Sequence, residues 1–385
     1  MPRLSRRFQE LPAYPLAHIP GRKRELLERG VDVIDLGAGD ADLPAPSRAI
    51  SALQRAAEQP SLGRYGFGLG YVPYREAIST WMERRFGTRF DPLREIVPLI
   101  GSKEGLAHVA SAYLEPGDVA IVPEPAYQAY FGGAFLSGAT PYIYPLRPRT
   151  GFLIDVDELP ADVVVRTRVL YLNYPNNPTT AIAPRDYLTR VVRFCQEHDV
   201  LLVYDNAYSE LAFDGYVPPS IFEIDGARDV AIEFHSLSKT GWRCGWAAAR
   251  PEIASALAKV KTFVDTGHYM GIQAAGVAAL ESYDQFVPAN VSVFRERRDA
   301  AVEAFRAAGF ACESPTATMY LWIPLPADLP SREFTDRLMN EEGVIALPGS
   351  SFGEGGEGFF RISFIVSPER LSEAASRAGR LLAAR

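Results

Sequence analysis

Short apolar runs alternate with amphipathic stretches through the middle of the chain. Residues 119–122 (Val-Ala-Ile-Val), 169–172 (Val-Leu-Tyr-Leu) and 201–204 (Leu-Leu-Val-Tyr) are continuously apolar and read as strands, as do 96–100 and 230–234. Between them, 102–114, 127–136 and 185–197 read as helices; in the last, Leu188, Val191, Val192 and Cys195 fall on one side. Strands that are apolar on both faces and separated by helices predict a parallel sheet covered on both sides.

The flanks read differently. Residues 31–36 are strand-like and run into a turn at Gly37-Ala-Gly39-Asp40. After Pro46, Ile50, Leu53 and Ala57 have helical spacing, and a second helix is predicted over 73–86. The stretch before 31 mixes proline, arginine and aromatic residues, with a short helical run at 23–28, and reads as an arm packed on something else. Beyond 274 the pattern predicts a long helix over 285–308, strands at 319–323 and 359–364, and a final helix carrying Leu371, Ala375, Ala378 and Leu382. The expected fold class is α/β. A large domain, 36–284, has a mostly parallel sheet covered by helices; 285–385 form a smaller α+β domain, and 1–35 an arm and part of that smaller domain.

Composition narrows the function. At 385 residues, 47% hydrophobic and 23% charged, the chain is long enough for two domains with sizeable cores. A formal net charge of −7 argues against a nucleic-acid or anionic-membrane surface and for small-molecule chemistry. Three scattered cysteines, Cys195, Cys244 and Cys312, make neither a disulfide framework nor a zinc spacing, so no metal is expected. With no apolar segment behind the N-terminus and none of membrane-span length, a soluble cytoplasmic protein is expected.

Polar residues then gather at the predicted strand ends, where ligands bind in open α/β sheets. Ser236-Leu-Ser238-Lys239-Thr-Gly-Trp-Arg243 packs two serines, a lysine and an arginine into eight residues after the strand at 230–234. Lysine forms Schiff bases with carbonyl compounds, while serines and an arginine fork suit a phosphate, so a ligand with both groups points to pyridoxal phosphate. Asp205 ends a buried strand, with Tyr208 three residues on; it is read either as a carboxylate for a pyridine nitrogen or as a helix cap. Asn173-Tyr-Pro-Asn-Asn177-Pro ends another strand, as an amide on a ring oxygen or a plain turn. Gly101-Ser102-Lys103-Glu104 opens a helix, as a phosphate seat or a serine cap, and Tyr127 has the position to stack on an aromatic ring. Gly66-Phe-Gly68-Leu-Gly70 follows no strand and is not a dinucleotide motif.

Together these residues resemble the pyridoxal-phosphate enzymes of fold type I, specifically the class I/II aminotransferases, with motifs in the family's order from about Asp35 to Phe364. The resemblance implies that Lys239 carries the cofactor as a Schiff base and moves the proton between substrate Cα and cofactor C4′. It implies Asp205 on the pyridine nitrogen, Tyr208 and Asn177 on the ring oxygen, and Tyr127 stacked on the ring. Ser102, the Lys103 amide, Ser236, Ser238 and Arg243 would form the phosphate cup, joined by Tyr65 from a neighbouring subunit. Arg361, in Phe-Arg-Ile-Ser-Phe, would grip the substrate α-carboxylate, with the Gly39 amide and Asn177 beside it. One departure stands out: in most relatives about four more residues separate the Lys-Thr pair from Gly-Trp-Arg. Four extended residues span up to ~14 Å, so the reach of Arg243 depends on how tightly the loop is drawn.

The expected function is a homodimeric transaminase acting on an L-amino acid and a 2-oxo acid such as 2-oxoglutarate. Gly101-Ser-Lys-Glu-Gly105, Phe263-Val-Asp-Thr-Gly267 and Gly349-Ser-Ser-Phe-Gly353 look most like the LL-diaminopimelate aminotransferase branch. A lyase or decarboxylase on this fold would share Lys239, Asp205 and Arg361, because the pocket selects which bond breaks. A non-catalytic effector-binding module would carry a DNA-binding domain, for which the residues before Val31 leave no room.

Overall fold

A computed structural model of the chain describes residues 2–12, 14–40, 42–67, 70–237 and 242–384. Among them the strands, in chain order, are β1 (Ile34–Asp35), β2 (Ile96–Leu99), β3 (Val119–Glu124), β4 (Thr140–Pro145), β5 (Thr167–Asn173) and β6 (Leu201–Asp205). They continue with β7 (Ala231–Ser236), β8 (Gly245–Ala249), β9 (Tyr320–Pro324), β10 (Val344–Ile345), β11 (Leu347–Pro348) and β12 (Phe359–Ser363). A seven-stranded sheet has the order β2-β8-β7-β6-β5-β3-β4. Neighbours from β4 through β7 pair in parallel, whereas β8 is antiparallel to both β7 and β2. Strand β2 therefore runs the same way as β7, and six strands end at one edge.

The continuous apolar runs have a simple cause. Alternate residues of a strand point to opposite faces, and both faces of this sheet are buried. Val169 and Tyr171 of β5 and Leu201 and Val203 of β6 join one core, which also takes Leu106, Val109 and Ala110 from the helix Ser102–Tyr113. Leu170, Leu172, Leu202 and Tyr204 join the opposite core, where the helix Arg185–His198 contributes Leu188, Val191, Val192 and Cys195.

A third core gathers β9 and β12 with Phe294 and Phe305 of the helix Tyr283–Ala307 and with Leu371, Ala375 and Ala378 of the helix Pro368–Ala383. It also takes in Ile34, Leu36, Tyr208, Leu211 and Phe213. That packing brings the turn after β1 and the segment after β6 against β9 and β12, across the mouth of the large sheet.

Several elements go beyond the sequence reading. β4 carries Pro141 and Pro145, which read as turn signals but are tolerated because this strand is the sheet's edge. β8 is Gly-Trp-Ala-Ala-Ala, too small and too short a pattern to separate from helix. The helices Ala161–Arg166, Pro251–Val264, Met270–Glu281 and Ser331–Glu342 were likewise not predicted. Conversely, the strand expected over 31–36 is reduced to two residues, paired in parallel with β10. Among the described residues, no helix is long and apolar enough to cross a membrane.

Candidate active site

The sheet's carboxyl edge assembles the site. Asn173 of β5 is in register with Asp205 of β6, and Asp205 with Phe234 of β7. Ser236 of β7 pairs with Gly245, and Gly245 in turn with Leu99 of β2, next to Ser102. Because β8 runs the other way, Arg243 enters this edge from just before its first residue. A side chain at Gly245 would put its Cβ 2.6 Å from the His235 carbonyl oxygen, so glycine is required where these strands converge. The edge opens into a cavity of about 290 Å³, near the lower end of ligand pockets. Ser102, Lys103, Tyr127, Asn177, Asp205 and Tyr208 line it, as do Ser236, Arg243, Arg361 and Gly39.

Asp205 is buried, and its Oδ2 accepts a hydrogen bond from the Tyr130 hydroxyl at 2.7 Å. Its carbonyl accepts from Asn173 Nδ2 at 2.7 Å, and Asn173 Oδ1 in turn accepts from the Asn177 amide at 2.8 Å. The Asn-Pro segment is thereby more than a surface turn: Asn173 fastens it to the end of β6. Burial, followed by the nearby Asp205, pushes the Tyr130 phenol far up, so Tyr130 remains a donor. The Tyr208 phenol is also pushed up, by burial first and then by Tyr320, whose hydroxyl lies 3.1 Å from its own.

Arg361, on β12, is 4% exposed. It donates from Nη1 to Asn177 Oδ1 at 2.7 Å and from Nη2 to the Gly37 carbonyl at 2.7 Å. Its guanidinium carbon lies 4.0 Å from the centre of the Tyr320 ring and 4.9 Å from that of Phe352. The Nε of this buried fork has no hydrogen-bond partner, and neither has the buried Ser351 hydroxyl beside the same cavity. Unmet buried donors are costly in a folded protein, and these two lie at one cavity, where an anionic group could accept from them. Gly39 is required for space, since a Cβ there would lie 2.2 Å from the Tyr320 hydroxyl.

The helix Ser102–Tyr113 begins at this cavity, and no side chain caps it at Gly101. Its first amides and dipole favour an anion. Arg243 and Ser236 line the same cavity as Ser102 and Lys103 at the start of this helix. Tyr127 lines one wall; burial, then Asp205, pushes its phenol up, while Arg243 acts in the opposite sense. The ammonium of Lys103, exposed at the rim, lies 5.6 Å from the centre of the Tyr127 ring and 5.5 Å from that of Tyr14. Ser238 and Lys239 lie outside the described residues. Tyr65 does not line the cavity; it is 73% exposed, with its ring tilted on Phe67 at 5.9 Å.

Several contributors were not singled out in the sequence. Tyr130 lies one helical turn beyond Tyr127, and one tyrosine among 18 carries no mark of its partner. Tyr14 and Leu16 bring the N-terminal arm to the cavity, while Tyr320, Leu347, Ser351 and Phe352 come from the C-terminal core. The Gly349-to-Gly353 motif held a signal for Ser351 and Phe352, and the mixed arm one for Tyr14; neither could say what they face.

Comparison with known proteins extends this picture. The family described as aminotransferase class I and II matches residues 31–377. An LL-diaminopimelate aminotransferase of Moorella thermoacetica is 43% identical over 98% of this chain and 98% of its own. One from Aquifex aeolicus is 44% identical over 97% of each chain. A substrate-bound BacF structure from Bacillus subtilis superposes with a TM-score of 0.95 at 31% identity, covering 99% of this chain and 98% of that one.

Proposed function

We propose, because this chain belongs to the class I and II aminotransferases and uses pyridoxal 5′-phosphate, that it moves an amino group between LL-diaminopimelate, or a related dicarboxylic L-amino acid, and a 2-oxo acid such as 2-oxoglutarate. The residues present fit the cofactor. An uncapped helix end beside Arg243 suits its phosphate, the buried Asp205 its ring nitrogen, and Tyr127 the face of its ring. Asn177 and Tyr208 suit the ring oxygen, and Ser238 and Lys239 follow β7 in the sequence. When bound, pyridoxal phosphate supplies an electron sink for the negative charge that develops at the amino-acid Cα.

The chain's own residues do the rest. Asp205, oriented by Tyr130, would hold a proton on the ring nitrogen, and Arg361 would orient the substrate through its α-carboxylate. Lys239 would take the proton from the substrate Cα and deliver it to the cofactor C4′, and run the transfer in reverse with the 2-oxo acid. Tyr14 and Leu16 of the arm lie over the cavity and limit water. The observation that carries this reading is Arg361, pinned by Asn177 and Gly37 with an unmet Nε at the cavity that Asp205 lines. The exposed Lys103 ammonium at the rim suits the second carboxylate of a dicarboxylic substrate, and the names of the relatives favour LL-diaminopimelate.

A homodimer with shared sites is part of the proposal. Tyr65, Phe67, Phe263 and Val264 are 73, 77, 86 and 61% exposed, large apolar side chains that a second copy would cover. The three described cysteines are unpaired and buried, which suits the reducing cytoplasm.

The test follows the visible absorption of the reconstituted protein. LL-diaminopimelate and glutamate are expected to bleach it, and 2-oxoglutarate to restore it. No bleaching by any amino acid would overturn transamination; bleaching by other amino acids only would overturn the substrate.

A further inference from the structure

Behind the helix end that the cavity exposes lies a buried ionic cluster to which none of the roles above applies. Lys261, on the helix Pro251–Val264, is 3% exposed. Its ammonium donates to Glu104 Oε1 and, at 2.9 Å, to Asp265 Oδ2. Glu104 stands in the first turn of the helix Ser102–Tyr113, and its Oε2 accepts the Ile100 amide at 2.8 Å. That contact ties the last residue before Gly101 to the helix and so sets how the turn presents its amides. Asp265 Oδ1 accepts from the Gly267 amide at 2.7 Å, which fixes the following turn.

The arrangement poses an electrostatic problem. A carboxylate in the first turn is favourable for the helix but repels a phosphate seated at the same end. Burial acts to raise the Glu104 carboxyl, yet His108, whose Nδ1 lies 3.6 Å from Glu104 Oε1, and the charge of Lys261 outweigh it and hold it down at about 2, so Glu104 is ionised. Without Lys261, two carboxylates would lie behind the seat with no buried cation between them. Glu104, His108 and Asp265 also have ligand atoms within 4.8 Å of one another, but the Lys261 ammonium already fills the space a metal ion would need.

We infer that Lys261 is a positioning residue for cofactor binding: it holds Glu104 in the turn that shapes the phosphate seat and offsets the carboxylate charge the phosphate would otherwise meet. The inference rests on reading the start of helix Ser102–Tyr113 as that seat. It predicts a phosphate-specific effect, since the charge behind the helix end bears on the phosphate and not on the ring.

The experiment titrates the full-length apoprotein with pyridoxal 5′-phosphate and, separately, with pyridoxal, following absorbance, for the unsubstituted chain and four variants. Lys261→Met is expected to weaken binding of the phosphorylated ligand about tenfold or more and to leave pyridoxal unchanged. Adding Glu104→Gln, which keeps an oxygen for the Ile100 amide, is expected to restore most of the loss. Unchanged affinity in Lys261→Met, equal weakening for both ligands, or no recovery in the double variant would overturn the inference. Should Lys261→Met fail to fold, Glu104→Gln alone decides: it must bind the phosphate form as tightly as the unsubstituted chain or more tightly, and weaker binding overturns the inference. Arg243→Ala tests the seat itself; if it leaves the preference for the phosphorylated ligand intact, the seat reading has failed and the Lys261 result is not its cause.

Discussion

The Tyr130 hydroxyl donates to Asp205 Oδ2 at 2.7 Å, and both side chains are buried. Tyr130 is itself held by stacking on Tyr171, with ring centres 5.1 Å apart and planes 17° from parallel. The carboxylate orientation is thus set by a side chain from the helix Gln128–Ser137. Tyr130→Phe removes one hydrogen bond to a charged group, worth about 1.5 kcal/mol. We expect kcat/KM to fall about tenfold, with a shift in the visible absorption of the bound cofactor. Unaltered kinetics and spectrum would dismiss Tyr130 as a support for Asp205.

Arg361→Lys keeps the charge but loses the planar fork that Asn177 and Gly37 hold in place. KM for both the amino acid and the 2-oxo acid is expected to rise about tenfold or more. Cofactor affinity should be unchanged, and steady-state kinetics with a cofactor titration will check the split.

Reduction of the reconstituted protein with borohydride, followed by peptide mass spectrometry, is expected to find the cofactor on Lys239. Lys239→Ala should bind cofactor without measurable turnover. A label on another lysine, or appreciable transamination by the variant, removes Lys239 from the proposed role.

Tyr65 is exposed and is not among the residues that line its own chain's cavity. If it serves a partner's phosphate, a mixture of Tyr65→Phe and Lys239→Ala chains should regain activity through hybrid dimers with one intact site. Loss of activity in mixtures whose subunits demonstrably exchange would refute sharing.

His268 offers a pH test. Burial, followed by the charge of Lys261, lowers its pKa from 6.5 to about 4. The folded state therefore favours the neutral ring, and the unfolded chain binds the extra proton first. Stability from this group is full above pH 6.5 and falls as the pH drops toward 4, by a few kcal/mol at most. Denaturation midpoints across this window should fall less steeply for His268→Gln; parallel profiles would contradict the shift.

How much could be read in advance follows from the range of the forces involved. Local pattern was enough for β3, β5, β6 and the helices Ser102–Tyr113 and Arg185–His198, because burial on both faces or on one stripe writes itself into a period of a few residues. The same locality exposed the Ser-Lys, Asn-Pro and strand-ending Asp motifs, since each follows directly on the element that carries it. Strand order left no such trace. That β8 inserts antiparallel between β2 and β7, and so delivers Arg243 to the edge where Ser102 begins its helix, depends on pairing between distant segments.

Only the tertiary structure could join Arg361 to Asn177 and Gly37, 184 and 324 positions away, or Lys261 to Glu104 across 157. Sequence by itself determined which elements form and which chemical groups stand at their ends, because those follow from neighbouring residues. Which groups meet, which are buried and which keep an unmet donor was decided by packing, because a contact between remote segments is a property of the whole folded chain.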